Sequence, residues 1–146
     1  MIAIGSDHGG FELKEHLKKH LEGAGVEVKD YGVFNEESVD YPDRAEPVCR
    51  AVQSGEAERG ILLCGTGIGI SIAANKFDGI RAALCSDVYS ALMAKQHNNA
   101  NILCLGGRVT GRELAFMIAD TWLNAEFLGG RHAERIGKIH DIEKNQ

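Results

Sequence analysis

Cys64 is followed by Gly65-Thr66-Gly67-Ile68-Gly69, a glycine loop with a thiol at its mouth. Glycines admit positive φ and let a ligand approach the backbone closely. Between a strand and a helix, such a loop aims free N–H groups outward at the positive end of the helix dipole. It can hold a phosphate or a developing enolate oxygen. The thiolate is the reactive form of cysteine, and this setting favours it near neutral pH. Cys64 is therefore a candidate base. It can equally be a small apolar strand residue, like Cys104.

Three other clusters carry chemistry. Asp7-His8 lies in a glycine-flanked turn, where Asp7 can orient a substrate hydroxyl and His8 can bind an anion. The alternative is a helix cap beside a bystander histidine. His97-Asn98 offers an acid or base near neutral pH. It also reads as a polar helix end, where histidine complements the dipole. Arg131 and Arg135 are four apart, so they share a helix face, and two guanidinium forks on one face suit a phosphate. A solvated face with Glu134 as ion-pair partner fits the same residues.

Other motifs fail. The loop after Cys64 is G-x-G-x-G rather than G-x-G-x-x-G, and it follows the third strand, not the first. Asp30 stands where a dinucleotide fold places its ribose-binding acid, but the first loop lacks the required glycines. There is no Walker A motif, no nucleophile elbow and no H-E-x-x-H. His16 and His20 are four apart and read as a solvated helix face. No metal site is expected.

The 146 residues suit one domain with one core. The net charge of -5 argues against nucleic acid as the main partner. An anionic substrate therefore needs a local basic cluster, which the segment near residue 131 supplies. No apolar run approaches membrane-spanning length and no signal segment is visible. Cys49, Cys64, Cys85 and Cys104 are widely spaced, with no C-x-x-C. A reducing, cytoplasmic compartment is expected.

These clusters are positioned by alternating strand-like and helix-like runs. Strands are expected at 1–5, 26–28, 60–64, 80–84 and 101–105. Helices are expected from Phe11 to about Gly23, from Pro42 to Gly55, from Ile70 to Lys76, from Asp87 to Gln96, and from Arg131 to Lys144. A further helix runs to about Leu123, with Thr110 as its cap and Glu113 completing a capping box. Five strands alternating with helices imply an α/β fold with a parallel sheet covered on both faces. Ligands in such folds bind at the carboxyl ends of strands, near a topological switch point. That rule selects Ser6–Gly10, Cys64–Gly69, Cys85–Asp87 and Gly106–Arg108.

Ser6-Asp7-His8-x-Gly10, Asp40-Tyr41-Pro42, the unbroken run Cys64 to Lys76, Gly79-Ile80-Arg81-Ala82, His97-Asn98 and Gly130-Arg131-His132-x-x-Arg135 occur in this order. Together they resemble the type B ribose-5-phosphate isomerases, a family that also holds galactose-6-phosphate isomerase subunits. The resemblance spans nearly the whole chain. It implies a single domain, 1–146, with a Rossmann-like three-layer α-β-α sandwich and a five-stranded parallel sheet of order 2-1-3-4-5. It implies interconversion of D-ribose 5-phosphate and D-ribulose 5-phosphate through a cis-enediolate, in the non-oxidative pentose phosphate branch, without metal or cofactor. Cys64 would move the proton between C1 and C2, and the amides of Gly65, Gly67, Ile68 and Gly69 would stabilise the enediolate. Thr66 and His97 would assist ring opening, and Asp7 would hold the ring hydroxyls. His8, Arg131 and Arg135 would bind the phosphate, with Tyr41, Asn98 and Arg108 completing the pocket. A homodimer or dimer of dimers is implied, with His97, Asn98 and Arg108 supplied by the neighbouring subunit and the helix at 131–144 packing on it. Isomerases of six-carbon 6-phosphates, and a non-catalytic sugar-phosphate sensor, are the alternatives.

Overall fold

The computed structural model describes residues 1–146. Strands β1 (Ile2–Ser6), β2 (Val28–Asp30), β3 (Arg59–Cys64), β4 (Ala82–Leu84) and β5 (Ile102–Gly106) alternate with helices α1 (Phe11–Gly23), α2 (Tyr41–Ser54), α3 (Ile68–Ala74), α4 (Val88–Gln96) and α5 (Arg112–Asn124). A last helix, α6 (Arg131–Lys144), follows α5 directly. All strand pairings are parallel.

Alternation along the strands sorts the helices into two layers. Ile2, Ile4, Ile61, Leu63, Leu103 and Leu105 face α1, α4 and α5 in one buried cluster. Ala3, Leu62, Cys64, Ile102 and Cys104 face α2 and α3 in the other. The sheet is thus covered on both sides, as its near-continuous apolar strands require.

The strand order is β2-β1-β3-β5-β4, not 2-1-3-4-5. Burial explains the exchange. All five residues of β5 are buried, whereas the three of β4 are half-buried or exposed, with Leu84 40% exposed. A strand apolar on both faces belongs inside a parallel sheet, and a short, wetter one belongs at its edge. The switch point between β1 and β3 is unaffected, because both lie inside β2 and β5.

Two local expectations also shift. The second strand begins at Val28 rather than Val26. The Val26 N–H closes α1 by donating to the Leu21 carbonyl (3.0 Å), so the ladder starts later. The capping box at Thr110 does not form. The Thr110 N–H donates to the Gly106 carbonyl in a turn (2.9 Å), and Gly111 precedes α5 with no side-chain cap bond.

The α1 layer is pinned to β2 by a buried ion pair. Lys14 has no exposure, and its Nζ reaches Asp30 Oδ2 at 2.6 Å and Glu15 Oε1 at 2.8 Å. The aromatic rings of Phe11 and Phe34 flank the ammonium. Removing Lys14 leaves the buried Asp30 carboxylate with only the longer 3.4 Å ion-pair contact to Lys18. Lys14→Met is expected to cost about 3–5 kcal/mol in denaturant unfolding, with much of it recovered by adding Asp30→Asn. A loss below about 1 kcal/mol, the range of surface pairs, would contradict this.

Candidate active site

β1 and β3 deliver their loops to the same end of the sheet, on either side of the switch point. The contact is between backbones. A methyl group at Gly9 would sit 2.9 Å from the Gly65 nitrogen, so neither a side chain nor a solvent layer separates the two loops there. The turn after β5 joins them: the Gly107 and Arg108 N–H groups donate to the carbonyls of Cys64 (2.8 Å) and Gly65 (2.9 Å).

Cys64 ends β3 as a buried residue, 5% exposed, with its side chain on the α2–α3 face. The Gly67 N–H donates to its Sγ at 3.1 Å, which fixes the thiol at the loop mouth. Gly67 adopts φ of +80°, open to glycine, and a Cβ there would strike Leu84. None of the other three cysteines has such a donor. Burial pushes Cys49 up to about 12 and Cys85 up to about 11, and raises Cys104 well above its ordinary value. They are inert core residues.

α3 starts at Ile68, two residues before the expected start. The Ile68 N–H donates to Thr66 Oγ1 at 3.2 Å. Two of the loop amides expected to face a ligand, those of Gly67 and Ile68, are thus bonded within the loop. The Gly69 amide lies in the first helical turn, where no intrahelical carbonyl can take it. The Tyr41 ring covers Gly69 closely: a methyl there would lie 2.7 Å from Tyr41 Cζ.

Asp7 is the cap that the second reading requires. Its Oδ1 accepts from the Gly9 (2.8 Å) and Gly10 (3.2 Å) N–H groups and caps the 3₁₀ turn His8–Gly10. Its Oδ2 makes no bond within the chain. His8 Nδ1 accepts from the Val39 N–H at 3.2 Å, which leaves Nε2 for a ligand. His8 lines a cleft of about 480 Å³ together with Glu12, His16, Arg108 and Arg112. Arg112, an added cation at the start of α5, carries no motif that marks it in the sequence.

Arg108 belongs to this half. Its guanidinium lies against Gly65 of its own chain, where a Cβ would come within 3.2 Å of Nη1. Its backbone bond to Gly65 fixes that placement.

The remaining predicted residues form a second cluster. His97 caps the end of α4, and its ring stacks on His132 with centroids 4.1 Å apart and planes 11° apart. His132 sits in the first turn of α6 between Arg131 and Arg135, with Asn98 adjoining His97. Its pKa is lowered by partial desolvation, and further by His97, Arg131 and Arg135. No hydrogen bond, ion pair or ring contact joins this cluster to the Cys64 loop. α4 packs on the opposite sheet face from the Cys64 side chain. The arginine motif contained His132, but only the packing gives it a partner.

Two near misses are also explained. Asp30 is occupied by Lys14 and Lys18 and is not available to a ribose. No group of three or more His, Cys, Asp or Glu side chains is placed to hold a metal ion.

The first cluster presents a fixed thiol and a free carboxylate oxygen, and its His8, Arg108 and Arg112 line a cleft. The second presents a histidine pair and two arginines. Residues 2–139 match the ribose/galactose isomerase family. The chain is 54% identical over 145 residues to ribose-5-phosphate isomerase B of Escherichia coli K12, covering 99% of this chain and 97% of that one. It is 48% identical to D-erythrulose-4-phosphate isomerase of Pectobacterium atrosepticum, covering 99% and 98%. The structure of Clostridium thermocellum ribose-5-phosphate isomerase B superposes with a TM-score of 0.97 at 60% identity, covering 98% and 97%. The chain belongs to the ribose/galactose isomerase family.

Proposed function

We propose that the chain interconverts D-ribose 5-phosphate and D-ribulose 5-phosphate. The observation that carries this reading is the thiol of Cys64, fixed by the Gly67 amide at the mouth of a loop that lies against Gly9 of the Asp7-capped turn, in a chain that matches such isomerases end to end. In the aldose-to-ketose direction the Cys64 thiolate removes the C2 proton. The electron pair forms a cis-enediolate with charge on the C1 oxygen; the Cys64 thiol then returns its proton to C1 while the C2 hydroxyl proton passes to the C1 oxygen. The exchange is redox-neutral, so it calls for no redox cofactor. The Gly69 amide and the N-terminus of α3 face the developing charge. Gly65 contributes mainly by admitting the backbone so close.

Asp7 Oδ2 holds the ring hydroxyls. Thr66 and His97 move the proton that opens the furanose. His8, Arg131 and Arg135 take the phosphate, and Tyr41, Asn98 and Arg108 close the pocket. Because the two clusters lie apart within one chain, the complete site is shared across a homodimer. Apolar side chains support this: Ile68, Leu84 and Val109 line a shallow hollow beside Thr66, and Ile72, Ile139 and Ile142 are also exposed. Only Ile136 of α6 is buried, which suits a helix that packs on a partner subunit. No helix is long and apolar enough to cross a membrane. Four free cysteines, all buried, fit the reducing cytoplasm.

The erythrulose-4-phosphate relative favours a second reading, a four-carbon substrate at the same site. A panel of four-, five- and six-carbon aldose phosphates, run with and without chelator, separates the two. Fastest turnover of ribose 5-phosphate, unchanged by chelator, is the expected result; preference for the four-carbon sugar would replace it. Cys64→Ala is expected to lower kcat by about 10²–10⁴-fold, the usual loss of a positioned acid–base group. Turnover near wild type in that variant would remove Cys64 from the mechanism.

The lowered pKa of His132 can be read directly. Its ring should titrate below the ordinary histidine value of 6.5 in an NMR titration, so it is neutral at pH 7. The neutral ring favours the folded arrangement. That contribution is present above the ordinary value and is lost as pH falls through the lowered one. A midpoint above 6.5 would contradict the crowding of His132 by cations.

A further inference from the structure

The segment Gly79-Ile80-Arg81-Ala82 contributes no side chain to either cluster, yet its arginine reaches the turn that carries one of them. The half-buried Arg81 guanidinium donates in two directions. Its Nε donates to the Asn99 carbonyl at 3.0 Å. Its Nη1 donates to His140 Nε2 at 3.0 Å, with a longer bond to the Gly79 carbonyl at 3.4 Å.

Asn99 is two residues beyond His97. It is the one non-glycine residue with positive φ, at +45°. Asparagine tolerates this region better than most residues, but it still needs support from its surroundings. Arg81 supplies that support from one side. Lys95 supplies it from the other, its Nζ donating to Asn99 Oδ1 at 2.6 Å. The turn His97-Asn98-Asn99 is therefore set by a guanidinium outside its own helix.

The same guanidinium holds α6. That helix buries only Ile136, so its few polar ties matter. One is Arg81 to His140; another is the Gly79 N–H, which donates to Glu143 Oε1 at 3.0 Å. Both ties come from the segment before β4. Two turns earlier on α6, His132 stacks on His97. One side chain thus fixes both members of the stack: the His97 turn through Asn99, and the His132 helix through His140.

We propose that Arg81 is a positioning residue for His97: its two-way grip on Asn99 and His140 sets the His97–His132 stack that presents the ring-opening acid. The proposal rests on the ring-opening role given to His97 above. A lysine cannot replace the arginine, because a single ammonium at the end of a flexible stem lacks the spread of Nε and Nη1.

The test is a double-variant cycle on the full chain with ribose 5-phosphate. Arg81→Met and Arg81→Lys are each expected to lower kcat by roughly 10- to 100-fold, as small misplacements of a catalytic group do. In a His97→Ala background, Arg81→Met is expected to add less than about a twofold further loss, since both changes remove the same contribution. Losses that multiply in the double variant would show that Arg81 does not act through His97 and would overturn the proposal. So would wild-type kcat in the Arg81 variants, or an Arg81→Lys chain that does not fold by circular dichroism. A His97→Ala chain with wild-type turnover would fail differently, removing the role given to His97 itself.

Discussion

The Cys64 half of the site depends on a backbone joint at the carboxyl ends of β1, β3 and β5. The Cys64 and Gly65 carbonyls accept from Gly107 and Arg108, and Gly9 lies against the Gly65 nitrogen. Peptide groups are thus packed directly on peptide groups, with their hydrogen-bonding capacity used among the three loops. Such a joint leaves little freedom to the residues it carries. Cys64, Asp7 and Arg108 are each within one or two residues of it, so their relative positions follow from the sheet register. The parallel pairing of Ser6 with Leu63 and of Cys64 with Gly106 is what aligns the three loop starts.

The second cluster is organised differently. His97 ends a helix of the other layer, and α6 brings the arginines to it with one buried side chain of its own. Ring stacking and a guanidinium fork replace the backbone joint. This half is more exposed and held by fewer contacts. It concentrates positive charge on a chain whose net charge is -5. On the first half His8, Arg108 and Arg112 line a cleft together with Glu12 and Glu36. An anionic substrate set between the halves would meet cations from two sides, which is the arrangement the proposed reaction needs.

Much of this was readable in the residues. The strand, glycine loop and helix around Cys64 declare themselves through an apolar run, a break in it, and helical spacing after it. The switch-point rule selects the strand ends that carry Asp7 and that loop; the order that joins them is what the family resemblance implies. The order of β4 and β5 was less legible, because both read as apolar runs and only the burial of whole strands ranks them. Val26 looked like strand until its N–H proved to be spent on α1. Thr110 carried a good capping pattern one residue out of place. The placement of Arg108 against Gly65 of its own chain depends on a turn bond that no spacing reveals. Asp30, a plausible ribose ligand by position, is taken by Lys14, a pairing sixteen residues apart across the α1–β2 packing.

The central claim is that one catalytic site is assembled from the Cys64 half of one chain and the His97 half of another. Mixing Cys64→Ala and His97→Ala chains, each nearly inactive alone, tests it most directly. In a two-fold dimer, random exchange makes half the dimers mixed, and each mixed dimer has one intact site of two. Activity should then return to about one quarter of wild type. No recovery on mixing, with exchange of subunits verified by mass, would show that the two halves do not meet across a subunit interface.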